Sequence, residues 1–283
     1  MGEHEEKLWA PTKFVRFEQS LNTSMRTAVV MTDAGRAYLK GLGNPEGPHA
    51  LVCEYVGTSV ARLLGLKTLE VALIQIAPGD EIPLFGGGLV APGPAYVTRE
   101  VPGHVPWSGT EQQLRVVENI GDLARLVVFD TWLRNVDRCP PTGSPRRPNY
   151  DNVLLAPASG TVERYHLFAI DHTHCISQGA EIGQRLGGIE YVKDDRVYGA
   201  FGPFENFVTE SMIEDALRDL SALDKGELRR IVDSLPPEWS VDDKIRNILF
   251  EFLCRRADYL CDAMINLLRR VWRARARHGE EKT

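Results

Sequence analysis

No apolar run in this chain approaches the roughly 20 residues that span a bilayer as a helix, so no transmembrane segment is expected. The five cysteines, Cys53, Cys139, Cys175, Cys254 and Cys261, contain no C-x-x-C pair. An odd, scattered set of this kind reads as reduced thiols in the cytoplasm, not as a disulfide framework or a zinc site. Positive charge is not in excess either. Lys and Arg number 33 against 39 Asp and Glu, which leaves a formal net charge of −6 and argues against general nucleic-acid binding. A Gly-rich phosphate loop is also missing. The chain has no G-x-G-x-x-G, and neither Lys-Ser/Thr nor a helix follows Gly86-Gly87-Gly88, which reads as a mobile turn between strands. The first seven residues are acidic and polar, unlike a secretory leader.

The chain is 43% hydrophobic, enough for a sizeable core in one large domain or two lobes. Up to about residue 103, short β-branched runs dominate. Residues 27–31 and 37–40 flank a turn at 33–36 and form a hairpin, 69–76 and 95–100 read as strands, and 12–18 alternates. One helix interrupts them at 49–64, with Leu51, Val52, Tyr55, Val56, Val60, Leu63 and Leu64 as its apolar positions and Gly65 at its end. Pro102-Gly103-His104-Val105-Pro106 breaks the pattern, and the boundary between units 1–103 and 104–283 is placed there. Helices dominate beyond it. Residues 114–133 read as one continuous, buried helix. Thr209 is the N-cap of a helix to 223, and Asp224 caps the next. A long helix, 242–275, ends among Arg269, Arg270, Arg273, Arg275 and Arg277. Cations suit a helix C-terminus, with an acidic-partner or nucleic-acid site as the alternative. The fold class is α+β.

Residues 135–171 hold the chemistry. Asn135-Val136-Asp137-Arg138 leads into a Pro-rich break. Asn149-Tyr150-Asp151-Asn152 then runs into the apolar Val153-Leu154-Leu155, and a second apolar run ends at Ile170-Asp171. The turn chemistry of 157–161 lets the two runs pair as a hairpin, with Asn152 and Asp171 at the same end. Asp137, Asn152 and Asp171 then bring hard oxygen donors into one small volume, which suits magnesium bound with phosphate.

This ordered set resembles the catalytic core of the HipA-like kinases, and the phosphatidylinositol kinases carry a similar run. The resemblance covers roughly 17–171. Besides Asn-x-Asp-Arg, Asn152 and Ile170-Asp171, it includes Lys40, Asn44, Glu54 and the Leu64-Gly65-Leu66 turn. It implies a two-lobed protein-kinase-like fold, with a β-rich N-lobe carrying one helix and a mostly helical C-lobe. It also implies an ATP- and Mg2+-dependent phosphotransferase, since phosphoryl transfer needs mostly positioning and charge neutralisation. By position, Asp137 would be the catalytic acid/base with Arg138 beside it, and Asn152 and Asp171 would bind the metal. Lys40, paired with Glu54, would contact the nucleotide phosphates, and 102–106 would be the hinge. Ser20, Thr23 and Ser24, in the loop before the first hairpin, could donate hydrogen bonds to phosphate in place of a Gly-rich cradle. An ordinary solvated loop explains the same residues. The chain departs from the family in spacing, because 139–148 is inserted between Asp137 and the Asn. Both Asn149 and Asn152 are therefore candidates, and Asn152 is preferred because it abuts the strand. The expected acceptor is a protein Ser or Thr. The alternatives are a lipid head group, a small molecule, or a non-enzymatic binding module on a kinase-like fold.

Overall fold

The computed structural model describes residues 9–158 and 163–280; part of the turn expected at 157–161 lies outside them. The first part of the chain forms β1 (Phe14–Ser20), β2 (Ala28–Thr32) and β3 (Gly35–Lys40), then α1 (Pro48–Leu63), β4 (Val71–Ile76) and β5 (Gly93–Arg99). The strands make one sheet in the order β1-β2-β3-β5-β4, antiparallel throughout. Side chains alternate across a strand. Ala28, Val30, Ala37, Leu39, Ile74, Ile76, Ala95 and Val97 therefore share one buried cluster. The β2–β3 connection is tighter than the four-residue turn expected, with only Asp33-Ala34 between the strands and Gly35 at φ 111°.

The second part comprises β6 (Val105–Pro106), α2 (Glu111–Leu114), α3 (Asp122–Leu133), β7 (Val153–Pro157), β8 (Tyr165–Ala169), α4 (Ile189–Val192), α5 (Glu210–Ser221), α6 (Lys225–Asp233) and α7 (Asp243–Glu280). β7 and β8 form the expected hairpin, extended by β6. The helix expected over 114–133 is in fact two helices separated by turns and a single strand-like bridge from Val117 to Tyr165. Tyr165 N–H donates to Val116 O at 3.0 Å, and Glu118 N–H to Tyr165 O at 2.9 Å. Val116 and Val117 are β-branched, so a strand partner draws them out of the helix.

α1 belongs to the larger core. Leu51, Val52, Val56 and Val60 pack in one cluster with Phe129, Trp132, Leu249, Phe252 and Leu260. α3 ends at Arg134, in the left-handed region at φ 56°. The buried Arg256 of α7 donates to the carbonyls of Thr131 and Trp132 in its last turn, and to those of Tyr191, Val192 and Asp194. The residues just after α3 therefore start from a fixed mount. Three of the five arginines at the basic end of α7 are paired within the chain: Arg269 with Glu210, Arg270 with Asp195 at 3.3 Å, and Arg275 with Glu205 at 2.6 Å. Among the described residues, no helix is long and apolar enough to cross a membrane.

Candidate active site

Lys40 ends β3, and α1 passes close behind it. Gly57 lets α1 close on the segment that follows Asp171, because a Cβ there would stand 2.5 Å from the Cβ of His172. Glu54, one turn earlier, reaches the Lys40 ammonium. Asp171 follows β8 in a left-handed turn, φ 55°, and its Oδ1 lies 3.2 Å from Lys40 Nζ. Burial would lower the Lys40 pKa, but the Asp171 and Glu54 carboxylates outweigh it and raise it. Burial would also raise both carboxyls. At Glu54 it prevails and the pKa goes up. At Asp171 the Lys40 charge overrides it and holds the carboxyl below its ordinary range. Thr173, absent from the sequence-derived set, joins this cluster through its hydroxyl.

Asp137 and Asn152 meet beside this cluster. Asn152 Nδ2 donates to Asp137 Oδ2 at 2.7 Å. Asn149 is occupied differently, since its side chain accepts from Asp151 N–H and caps the 3-10 turn Tyr150–Asn152. Ile170 N–H donates to Asn152 O at 3.2 Å, so Asn152 and Asp171 lie side by side at one end of the β7–β8 hairpin. The Asp137 amide donates to Asn135 Oδ1, which fixes the loop. His174, also missed from sequence, places Nδ1 3.9 Å from Asp137 Oδ2 and Nε2 3.5 Å from Glu46. The imidazole and the Asn152 amide hold the Asp137 carboxyl below its ordinary range, and Asp137 raises the His174 pKa in turn. The only sequence signal for Thr173 and His174 was their nearness to Asp171 in Asp171-His172-Thr173-His174.

Arg138 points away from Asp137. Its guanidinium is fully buried and binds the Asp130 carboxylate, the carbonyls of Asn152 and Ile170, and His172 Nδ1. Burial and Arg138 keep His172 well below its ordinary pKa, which suits its role as acceptor. Arg138 thus ties the Asp137 loop to both strands of the hairpin. Burial pushes Asp130 up to about 6 against the pull of Arg138.

A cleft of about 240 Å³ opens in front of Lys40. Tyr38 of β3 and Thr27, just before β2, line it on one side, Leu154 and Ile170 of the hairpin on the other, and Val101 and His104 from the connection between them. At its rear the Tyr96 hydroxyl lies 2.8 Å from that of Thr58. Of the loop hydroxyls expected to face phosphate, Thr23 lines the cleft; Ser20 and Ser24 are not among its lining residues. Ser20 Oγ donates to Pro83 O at 2.6 Å, and Thr23 Oγ1 is engaged with Thr27. Asp171 and Asn152 supply hard oxygen donors of the kind magnesium takes. The Asn152 amide bonds Asp137 through nitrogen, which leaves its oxygen for a metal, so the donor set fits one.

A profile of the HipA-like kinase family matches residues 29–265. No curated protein sequence matches the chain. Among solved structures, the Helicobacter pylori proinflammatory kinase CtkA aligns over 91% of this chain and 97% of its own, with a TM-score of 0.61 at 15% identity. HipA of the Shewanella oneidensis MR-1 toxin–antitoxin system aligns over 90% of this chain and 67% of its own, with a TM-score of 0.44 at 9% identity. The CtkA likeness shows a kinase-like α+β fold, with the antiparallel sheet and α1 as its N-terminal part and the helices as its C-terminal part.

Proposed function

The chain belongs to the HipA-like kinase family, and from that premise we propose that it is an ATP- and magnesium-dependent phosphotransferase acting on a protein serine or threonine. One observation carries the reading: a cleft between sheet and hairpin has Lys40, Glu54 and Asp171 joined at its wall, with the Asp137–Asn152 pair beside them. In this assignment the purine lies between Tyr38 and Thr27 on one side and Leu154 and Ile170 on the other. Lys40 binds the phosphates while Glu54 holds it in place. Asn152 and Asp171 hold magnesium, which when bound would neutralise charge on the phosphates. Asp137 orients the acceptor hydroxyl and takes its proton. Its side chain is 28% exposed, within reach of a hydroxyl on a protein surface. Arg138 acts on Asp137 only through the loop. The lobes divide near residue 103, and the cytoplasm is the expected setting.

The test is transfer of label from γ-labelled ATP, first to the chain alone, then to proteins of a cell lysate and to lipid extracts, with Asp137→Asn as control. Labelled Ser or Thr in protein, lost with Asp137→Asn, is the expected result. Label confined to lipid or small molecules would overturn the acceptor class, and no label in any arm would overturn the enzymatic reading.

A further inference from the structure

The Thr173 side chain lies where the charged groups at the cleft wall meet. Its Oγ1 is 2.6 Å from Glu54 Oε1, 2.8 Å from Asp171 Oδ1 and 3.4 Å from Lys40 Nζ. The residue is buried, and its own amide also points at Asp171 Oδ1, at 3.4 Å. Glu54 comes from α1 and Asp171 from the end of the hairpin, so a single hydroxyl touches a helix, a strand end and the lysine between them. α1 rests directly on this segment through Gly57 and His172.

A hydroxyl donates one proton and accepts through its lone pairs. Thr173 can therefore give its proton to Glu54 or to Asp171, not to both at once. Lys40 has three N–H groups and at present serves both carboxylates. When the ammonium turns toward nucleotide phosphates, the two carboxylates lose part of that partner. A buried carboxylate without a donor is costly. Thr173 is the neutral donor already within hydrogen-bond distance of both.

Building on the phosphotransferase reading above, we infer that Thr173 is a positioning residue that couples α1 to the metal-binding end of the cleft. Its one proton goes to Glu54 while Lys40 engages phosphate, which frees the Asp171 carboxylate to meet magnesium. Thr173 contacts neither the nucleotide nor the acceptor in this assignment.

The test compares Thr173→Ser and Thr173→Val in the full chain. The probe is ATP binding by calorimetry over a series of magnesium concentrations. Valine keeps the shape and removes the hydroxyl, whereas serine keeps the hydroxyl. The magnesium concentration for half-maximal ATP binding is expected to rise about tenfold in Thr173→Val, the scale of one charge-assisted hydrogen bond, and to stay within about twofold of the parent in Thr173→Ser. Parental behaviour in Thr173→Val would overturn the inference. So would a serine variant as weak as the valine one with both still melting cooperatively, because packing of the methyl group would then explain the site. If Thr173→Val does not fold, Thr173→Cys, of similar size and with a weak donor, takes its place. A parent that binds no ATP at millimolar concentration with magnesium brings down the functional proposal and this inference together, whereas parental binding with an indifferent Thr173→Val brings down this inference alone.

Discussion

Asp137 and Asp171 carry the same side chain in different surroundings, and the surroundings separate their roles. Asp171 is bound by Lys40 and Thr173 at the wall of the cleft, whereas Asp137 is paired with Asn152 and His174. Asp171→Ala is expected to abolish the magnesium dependence of nucleotide binding. Asp137→Asn keeps shape and an acceptor oxygen but loses the base, so turnover should fall about 10²–10⁴-fold with nucleotide affinity nearly unchanged. Binding isotherms and single-turnover rates on both variants decide this; equal loss of binding in both would show the roles misassigned. In sequence, the two aspartates and Asn152 stand out because each abuts an element with a clear pattern, whereas Lys40 and Glu54 are singled out by the resemblance to the HipA-like kinases. Arg138 joins them as the last residue of the Asn-x-Asp-Arg run and as a charge beside Asp137. Its direction depends on Asp130, which sits inside α3 and gives no sign in sequence that it faces a buried cation. Thr173 and His174 were hidden for a related reason, since their partners Glu54 and Glu46 come from the other part of the chain.

At the level of elements, the strands of the first sheet, α1, the β7–β8 hairpin and the C-terminal helices were legible from periodicity and caps. Thr209 and Asp224 accept from backbone N–H groups as their sequence contexts implied. The break between α2 and α3 was not legible, because Val116-Val117 fits either period and its strand partner, Tyr165, is remote in sequence. The end of α3 at Leu133 falls where the sequence placed it, with Arg134 beyond it in a left-handed position that no glycine marks. That end is held by Asp194. Its carboxylate, 3% exposed, accepts from Arg134 Nε at 2.8 Å, from Arg196 at 2.7 Å and from the Tyr198 hydroxyl at 2.8 Å. Burial alone would raise the Asp194 pKa, but Arg196, Arg134 and Tyr198 outweigh it and hold it well below its ordinary value. A depressed carboxylate contributes stability that is fully present above its unfolded pKa, roughly 3.9, and is lost as pH falls through the folded value. Asp194→Asn should therefore cost about 3 kcal/mol at neutral pH, the scale for breaking a buried pair. Denaturant melts should show that gap constant down to about pH 4 and shrinking below it, in line with the same linkage. A gap that widens on acidification would show that the sign of the coupling is wrong.

Across the whole molecule, the parts are not independent. α1 is contributed by the first part of the chain but packs in the core of the second, against α6 and the Pro237–Trp239 turn. The Trp239 indole donates to Pro94 O in β5 at 3.0 Å, and His49 of α1 lies 3.2 Å from Ser240 O. The cleft is walled from both sides, with Tyr38 and Lys40 on the sheet and Leu154 and Asp171 on the hairpin. A nucleotide held there would bind only when both walls are folded and together. Its binding energy would then add to the stability of the whole chain, because a ligand that binds only the native state stabilises by mass action. ATP with magnesium at about 100 times its dissociation constant should stabilise by roughly 2.7 kcal/mol. The melt should remain a single transition, since α1 and Trp239 join the two cores. ATP without magnesium should shift it less, because the triphosphate would then face Asp171 with only Lys40 to balance the charge. Differential scanning calorimetry with nucleotide and metal varied separately checks each of these points. A transition that splits, with only one part responding, would mean that the sheet and the helical part bind independently. No shift at millimolar ATP in either condition would remove the nucleotide from the cleft.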